Sequence, residues 1–292
     1  MQIGSSRFPL YAGVALIAAA AVTGCAAISS TGGGGSSASA AASPLTEVKL
    51  AAQTSTKANS FTGTMSMRLT ATPGASSTDG ITGDTSMTAT FAEQLHPSLL
   101  ASVSVGTLTS AGKSLPGGLT EIITPSAFYL KWPYLTQAAH LSKPWVVVPV
   151  SAASKSTGID LSQLVNQATS NSPLTQTQLF ADATSVRQVG TGTVDGVPVT
   201  EYTGTVPISK AVSRLSGSVK TQLQQRIAAA GFTTETFTVW IDGQHLTRKA
   251  IVTVDGTSLR ETVTLTITSI NQPVNVTAPP ASQTTPVPDN LG

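Results

Sequence analysis

Through most of this chain apolar and polar residues alternate with period two; a helical period appears in only a few places. From Ser60 to Ala71, Phe61, Gly63, Met65, Met67 and Leu69 take one side, and Thr62, Thr64, Ser66, Arg68 and Thr70 take the other. That pattern predicts a half-buried strand with one wet face. It returns after the turn residues Pro73–Gly80, with Ile81, Met87, Ala89 and Phe91 against Thr82, Asp84, Ser86, Thr88 and Thr90. It returns again after Pro97, with Leu99, Ala101, Val103 and Val105 against Ser102 and Ser104. Three such runs joined by short turns predict an antiparallel meander. Leu119–Thr124 and Ala127–Trp132 around Pro125-Ser126 read as a hairpin, and Trp145–Val148 as a short, more fully apolar strand.

The last third repeats the design. Asp195-Gly196 sits between two β-rich runs, Ser185–Thr193 and Val197–Val206, which is a hairpin signal. Phe237, Val239 and Ile241 alternate with Thr236, Thr238 and Trp240. Asp242-Gly243 and Asp255-Gly256 then punctuate Leu246–Val254 and Leu259–Ile270, where Val263, Leu265 and Ile267 oppose Thr262, Thr264, Thr266 and Thr268. Helical spacing is confined to Pro44–Asn59 (Leu45, Val48, Ala51, Ala52), two short stretches after Asp160 and Pro173, and Ser209–Gly231. In the last of these Ile208, Val212, Leu215, Val219, Leu223 and Ile227 keep a stripe. The expected class is α+β: an antiparallel sheet, apolar on one side and Thr/Ser on the other, whose apolar side must be covered. With so little helix, such a sheet curls or encloses a cavity.

The N-terminus carries a different message. Residues 8–21 are uncharged and apolar or small, Arg7 precedes them, and Val22-Thr23-Gly24-Cys25 follows. This reads as a secretory signal over residues 1–24, too short and Ala-rich for a spanning helix. The four residues resemble the bacterial lipobox, which implies diacylation of Cys25 and cleavage before it. Cys25 is the only cysteine, so no disulfide forms within the chain. Residues 25–43 are small and Gly/Ser-rich and read as a flexible tether, with a reach of roughly 5–6 Å times the square root of its length. Residues 44–276 are expected to form one domain, and 277–292, rich in Pro and Thr, a disordered tail.

Charge changes the picture only by exclusion. Sixteen basic and fourteen acidic residues leave the chain near neutral, without the basic stripe that phosphate binding requires, so nucleic acid is not an expected partner. Thr and Ser dominate the polar positions, and β-branched Thr suits exposed strand faces.

The order of parts resembles a known group, the LolA-like lipid-carrier fold and, within it, the LppX/LprG-type lipoproteins of actinobacteria. The carrying residues are the lipobox with its tether, Lys57-Ala58-Asn59-Ser60-Phe61 leading into the first strand, and Thr193–Val206 around Asp195-Gly196. A helix follows, then Phe237-Thr238-Val239-Trp240-Ile241-Asp242, Leu246-Thr247-Arg248-Lys249, and the closing Pro273-Val274 ahead of Pro279-Pro280. The resemblance implies a strongly curved antiparallel half-barrel whose concave face is covered by helices around a hydrophobic cavity. It implies a lipid or glycolipid ligand held by its acyl chains, and also fits an envelope protein partner, since the fold occurs in stress sensors. Alternation then nominates the cavity lining: Met65, Met67, Leu69, Met87, Phe91, Val103, Val105, Phe128, Leu130, Phe237, Val239, Ile241, Val263, Leu265 and Ile267.

Catalytic chemistry is not indicated, and no cofactor is called for. His96, His140 and His245 have no His, Cys or carboxylate at metal-ligand spacing and read as surface or loop residues. There is no Gly-x-Ser-x-Gly elbow and no phosphate loop. Phe128, Tyr129, Trp132, Tyr134 and Trp145, flanked by Lys131 and Lys143, read either as the rim of a lipid entrance or, more simply, as rings that fill a hairpin core. Two functions are therefore expected to compete: a membrane-anchored lipoprotein holding acyl chains, and an envelope interaction module with a filled core.

Overall fold

A computed structural model describes residues 42–55, 57–71, 84–114, 118–149, 177–209, 224–225, 227–228 and 230–286. The first element is helix α1, Pro44–Ser55. Ser43 starts it: its Oγ accepts the Thr46 amide at 3.2 Å, and Pro44 occupies the first helical position, where its missing N–H costs nothing.

Two meanders follow. The first runs β1 (Ser60–Ala71), β2 (Thr85–Gln94), β3 (Leu100–Ser110), the two-residue β4 (Lys113–Ser114), β5 (Leu119–Ile123), β6 (Ala127–Lys131) and β7 (Trp145–Pro149). The second runs β8 (Ser185–Val194), β9 (Val197–Pro207), β10 (Thr234–Asp242), β11 (Thr247–Asp255) and β12 (Leu259–Ile270). β12 pairs with β1, so the two meanders fuse into one sheet that a last short strand, β13 (Thr284–Pro286), extends, in the order β13-β7-β6-β5-β3-β2-β1-β12-β11-β10-β9-β8, with β4 on β3. The sheet is curved and unclosed, mostly antiparallel and poor in helix, as the half-barrel expectation has it.

The alternation seen in the sequence becomes two faces. On the outer face Thr and Ser hydroxyls bridge neighbouring strands: Thr88 with Thr107 at 2.6 Å, Ser86 with Thr109 at 2.7 Å, and Thr62 with Ser269 at 2.7 Å. On the inner face α1 and a 3-10 turn, Thr177–Asp182, pack against one another and against β8–β11. Two hydrogen bonds tie α1 to the β10–β11 hairpin: His245 Nδ1 meets Glu47 Oε2 at 2.9 Å, and the Thr247 amide donates to Ser55 Oγ at 3.3 Å.

Several expectations are corrected. The chain does turn at Asp242-Gly243, over more than those two residues. Asp242 is buried and ends β10, its Oδ1 accepts the Gln244 and Leu246 amides at 2.8 and 3.0 Å, and Arg248 Nε lies 2.7 Å from Oδ2. An Asx-type turn of this kind needs three residues, and His245 takes the left-handed φ of 57° that closes it. Asp195-Gly196 does form the two-residue turn, both at positive φ (48° and 80°). The residues after Trp132 turn into a short helix, α2 (Pro133–Ala138), because Pro133 stands at its first turn and the Thr136 amide reaches the Trp132 carbonyl. The expected tail disorder fails at residues 281–286. Ala281–Gln283 is a 3-10 turn, and Thr284–Pro286 forms β13, parallel to β7, fastened by Lys143 Nζ to the Thr284 carbonyl at 2.8 Å. The expected Asp160 helix, most of the Ser209–Gly231 helix and Ile81 lie outside the described residues. Within the described part, Ile208, Ser209 and the residues described between 224 and 230 are helical, and Gly231 follows at φ 71°. No helix among the described residues is long and apolar enough to cross a membrane.

Two glycines set how closely the inner face can pack. Gly63, beside the bulge that β12 makes at Thr268, lies opposite Phe91, and Gly204 lies opposite Phe237. A Cβ on Gly63 would meet the Thr266 carbonyl oxygen and lie 2.6 Å from Phe91 Cζ. The ring thus covers a bare backbone, a pairing that stabilises glycine within a sheet. Gly63→Ala is expected to cost about 2–4 kcal/mol, because the obstruction is backbone rather than a flexible side-chain end. Gly192→Ala on β8, with nothing within 4 Å of its Cβ, should change stability by no more than about 0.5 kcal/mol. Urea midpoints of the two variants check the contrast; equal midpoints would contradict it.

Candidate functional site

Cross-strand register decides which side chains share a surface, because directly paired residues point to the same face. Following the pairs Leu130–Glu121–Val103–Phe91–Gly63–Ile267, and Met87–Met67–Val263–Val252–Phe237, puts all fifteen nominated residues on the inner face. They do not share one environment. Phe237, Val239, Ile241 and Ile267 are at most 3% exposed and belong to a core with Val48, Ala51 and Phe61. Phe180 from the 3-10 turn stacks on Phe237 with ring centroids 4.4 Å apart. These four meet protein under α1 and the turn. Phe91 and Leu265 belong to the same core, with Met65 and Val103 at its margin.

The other half of the face is softer. Met67, Met87, Ala89 and Val105 form a second buried cluster, joined by half-buried Met65, Val103, Leu108, Leu119 and Val263. Leu69, Phe128 and Leu130 lie on the same face by register, half-buried and outside both clusters. Three methionines at the centre give this half an adaptable lining, since thioether chains fill irregular gaps.

Carboxyl groups interrupt the apolar face, and sequence reasoning missed them. Glu93, Glu121, Glu235 and Glu261 occupy inner-face positions: Glu235 is in frame with Phe237, Val239 and Ile241, Glu261 with Val263 and Leu265, and Glu121 with Leu119 and Ile123. The signal was available as an acid where alternation demands an apolar residue. Glu121 is 6% and Glu235 8% exposed, and Oε1 of each is buried without a hydrogen-bond partner. Burial pushes Glu121 up to about 8. Burial, and then the charge of Glu261 beyond Val254, push Glu235 up to about 7. An orphaned buried polar atom costs about 1–3 kcal/mol, so each is a standing expense of the fold.

At the opposite edge α2 borders an open cleft of about 550 Å³, lined by Lys131, Pro133, Thr136, Gln137, His140, Leu141 and Pro144. Trp132 and Tyr134 lie 5.1 Å apart there, Tyr134 is 48% exposed, and Lys131 Nζ sits 5.9 Å from the Trp145 ring centroid. The aromatic residues therefore divide between the two readings. Phe128 points inward by register, whereas Tyr134 stands in solvent against Trp132, as a rim residue would. Of the histidines, His96 and His140 are exposed and His245 holds Glu47. Among the described residues no three His, Cys, Asp or Glu side chains gather as a metal site would require. Cys25 lies outside the described residues.

No family model matches this chain, and no curated protein does. Among solved structures it is similar to lipoprotein LppX of Mycobacterium tuberculosis, at 19% identity over 80% of this chain and 97% of that one, with a TM-score of 0.41. It is also similar to LprF of Mycobacterium bovis, at 12% identity over 81% and 96%, with a TM-score of 0.43. The MucA/MucB complex of Pseudomonas aeruginosa is matched at 13% identity over 82% of this chain and 59% of that one, with a TM-score of 0.30.

The buried acids make stability depend on pH with a definite sign. Glu235 has a folded-state value raised above its unfolded one. Its contribution is therefore fully present below about pH 4.5 and is lost as pH rises to about 7. The loss is on the order of 3 kcal/mol, at about 1.4 kcal/mol per unit. The melting temperature should fall between pH 5 and pH 8, and Glu235→Gln should flatten that decline. Thermal scans of both proteins at four pH values test it, and parallel curves would contradict the assignment.

Proposed function

We propose that this chain is a membrane-anchored envelope lipoprotein that binds lipid acyl chains against the inner face of its sheet and carries or presents them. The observation that carries this reading is the extent of the apolar inner face. It continues from the core beneath α1 across β1, β2, β3, β5 and β6, ending in a methionine cluster and in half-buried Leu69, Phe128 and Leu130. Burial of acyl chains there would supply affinity at about 25 cal/mol per Å² removed from water, less the cost of ordering the ligand. Phe237, Val239, Ile241 and Ile267 would serve as the floor that holds α1, and Met65, Met67, Met87, Val105 and Leu130 as the binding surface.

The lipobox supports the same reading. Acylated Cys25 would hold the body near a membrane through residues 25–43, and anchoring at about 0.8 kcal/mol per buried methylene is firm with two or more chains. Residues 1–24 would be removed as the signal. A second reading, an envelope module that binds a protein partner, is favoured by the filled core under α1 and Phe180.

Residues 26–292, which lack Cys25 and its acyl chains, separate the two when purified from a lipid-containing host. Native mass spectra before and after organic extraction should show a stoichiometric added mass assignable to a diacyl or triacyl lipid. A clean apo mass that persists after incubation with envelope lipids would overturn lipid binding and leave the interaction module.

A further inference from the structure

The inner face of β5 carries one side chain that an acyl chain alone does not explain. Around Glu121 the same face presents Val103 and Leu130 directly opposite, Ala101, Val105 and Phe128 diagonally, and Leu119 and Ile123 along its own strand. All seven are apolar, so no cation or amide from these strands reaches the carboxyl. Its Oε1 is buried and unpartnered. Among the described residues of β2 to β7 the other ionisable groups on this face by register are Glu93, opposite Ala101, and Lys113, opposite Ser110 at the far end of β3, and Lys131 points to the other face beside Thr120.

We propose that Glu121 is a specificity-determining residue of the lipid site: its carboxyl hydrogen-bonds an uncharged hydroxyl of the ligand, so the site takes neutral, hydroxyl-bearing acyl lipid in preference to an anionic one. The inference rests on the lipid-binding reading above. A neutral carboxyl can both accept from and donate to a hydroxyl, whereas a phosphate in its place would bring an unpaired negative charge into a water-poor, apolar setting. Burial alone raises Glu121 to about 8, which keeps the group uncharged at neutral pH without any partner. A lipid laid over it removes the remaining water and favours the neutral form further. Affinity for the hydroxyl lipid therefore falls as pH rises through that value.

The full chain, purified in detergent and titrated in native mass spectra, provides the test, with dioleoylglycerol, dioleoylphosphatidate and hexadecane as probes. The wild type should prefer the diacylglycerol to the phosphatidate by about tenfold or more, since a site with a committed polar group discriminates strongly by that group. Glu121→Leu should lose that preference and bind hexadecane at least as tightly as the wild type, because an apolar side chain replaces the carboxyl, which also reports an intact face. Glu121→Gln should keep the preference and hold its affinity for the diacylglycerol constant from pH 6 to pH 9.5, while the wild type's affinity for the diacylglycerol declines. A Glu121→Leu protein that still prefers the diacylglycerol would overturn the proposal and leave the lipid site standing. So would a wild-type affinity for the diacylglycerol independent of pH, which decides the matter even if the leucine variant does not fold. A wild type that binds none of the three probes overturns the proposal together with the lipid reading.

Discussion

Strand β1 meets β12 along eleven residue pairs, from Phe61–Ile270 to Ala71–Leu259, although the two strands lie at opposite ends of the folded chain. Each meander builds itself from neighbouring strands, and nothing local brings one to the other. The junction is fastened at its lower end. The Asn59 amide donates to Asn271 Oδ1 at 2.7 Å, the Asn271 amide to the Ser60 carbonyl at 2.8 Å, and Thr62 bonds both Thr268 and Ser269. Closing a loop of this length costs entropy before any contact rewards it, so the pair must form late or be held by apolar burial on its inner side. Phe61, Ile267 and Leu265 supply that burial, and α1 reaches the same core through Val48 and Ala51. The inner face is continuous only because this one pairing is made.

Continuity of the face then sets a conflict. A sheet whose inner side is wholly apolar is stable when covered, and the half under α1 follows that rule with Phe237, Val239 and Phe61 nearly inaccessible. The half beyond β1 departs from it. Its centre is methionine rather than branched aliphatic residues, and carboxyl groups stand at Glu93 and Glu121 where valine or isoleucine would pack better. Methionine specifies one packing poorly, and the unpaired buried Oε1 of Glu121 costs free energy. Such departures from local consistency concentrate where a protein has a use for them. The half under α1 holds the helix; the methionine half is the one the proposed function uses.

Much of the fold was legible in single strands. β1 begins and ends where its alternation does, and β10 to β12 follow theirs, because a one-residue slip would expose the whole apolar set. The parts that were not legible depend on contacts distant in sequence. β13 exists because Lys143 and β7 receive it, and the turn after Asp242 is decided by a side chain folding back onto two amides and Arg248. Of the site, the shared face of the fifteen residues followed from period two, but its division did not. Which residues α1 and Phe180 seal is a property of packing, and the four residues under them differ in no sequence feature from those beyond.

The glutamates mark where sequence and structure could have been joined sooner. An acid in frame with apolar neighbours has two outcomes: the strand bends it to water, or the fold buries it and its charge is suppressed. Glu121 and Glu235 take the second course, yet by different routes. Glu235 shares its surroundings with Glu261, so its neutrality is partly a response to another charge. Glu121 has burial as its sole cause. A like-charged pair relaxes if one member is replaced, whereas a solitary acid in an apolar ring gains only when a hydrogen-bonding group comes to it. On the proposed lipid-binding reading, that difference makes Glu121 the point at which one lipid would be told from another.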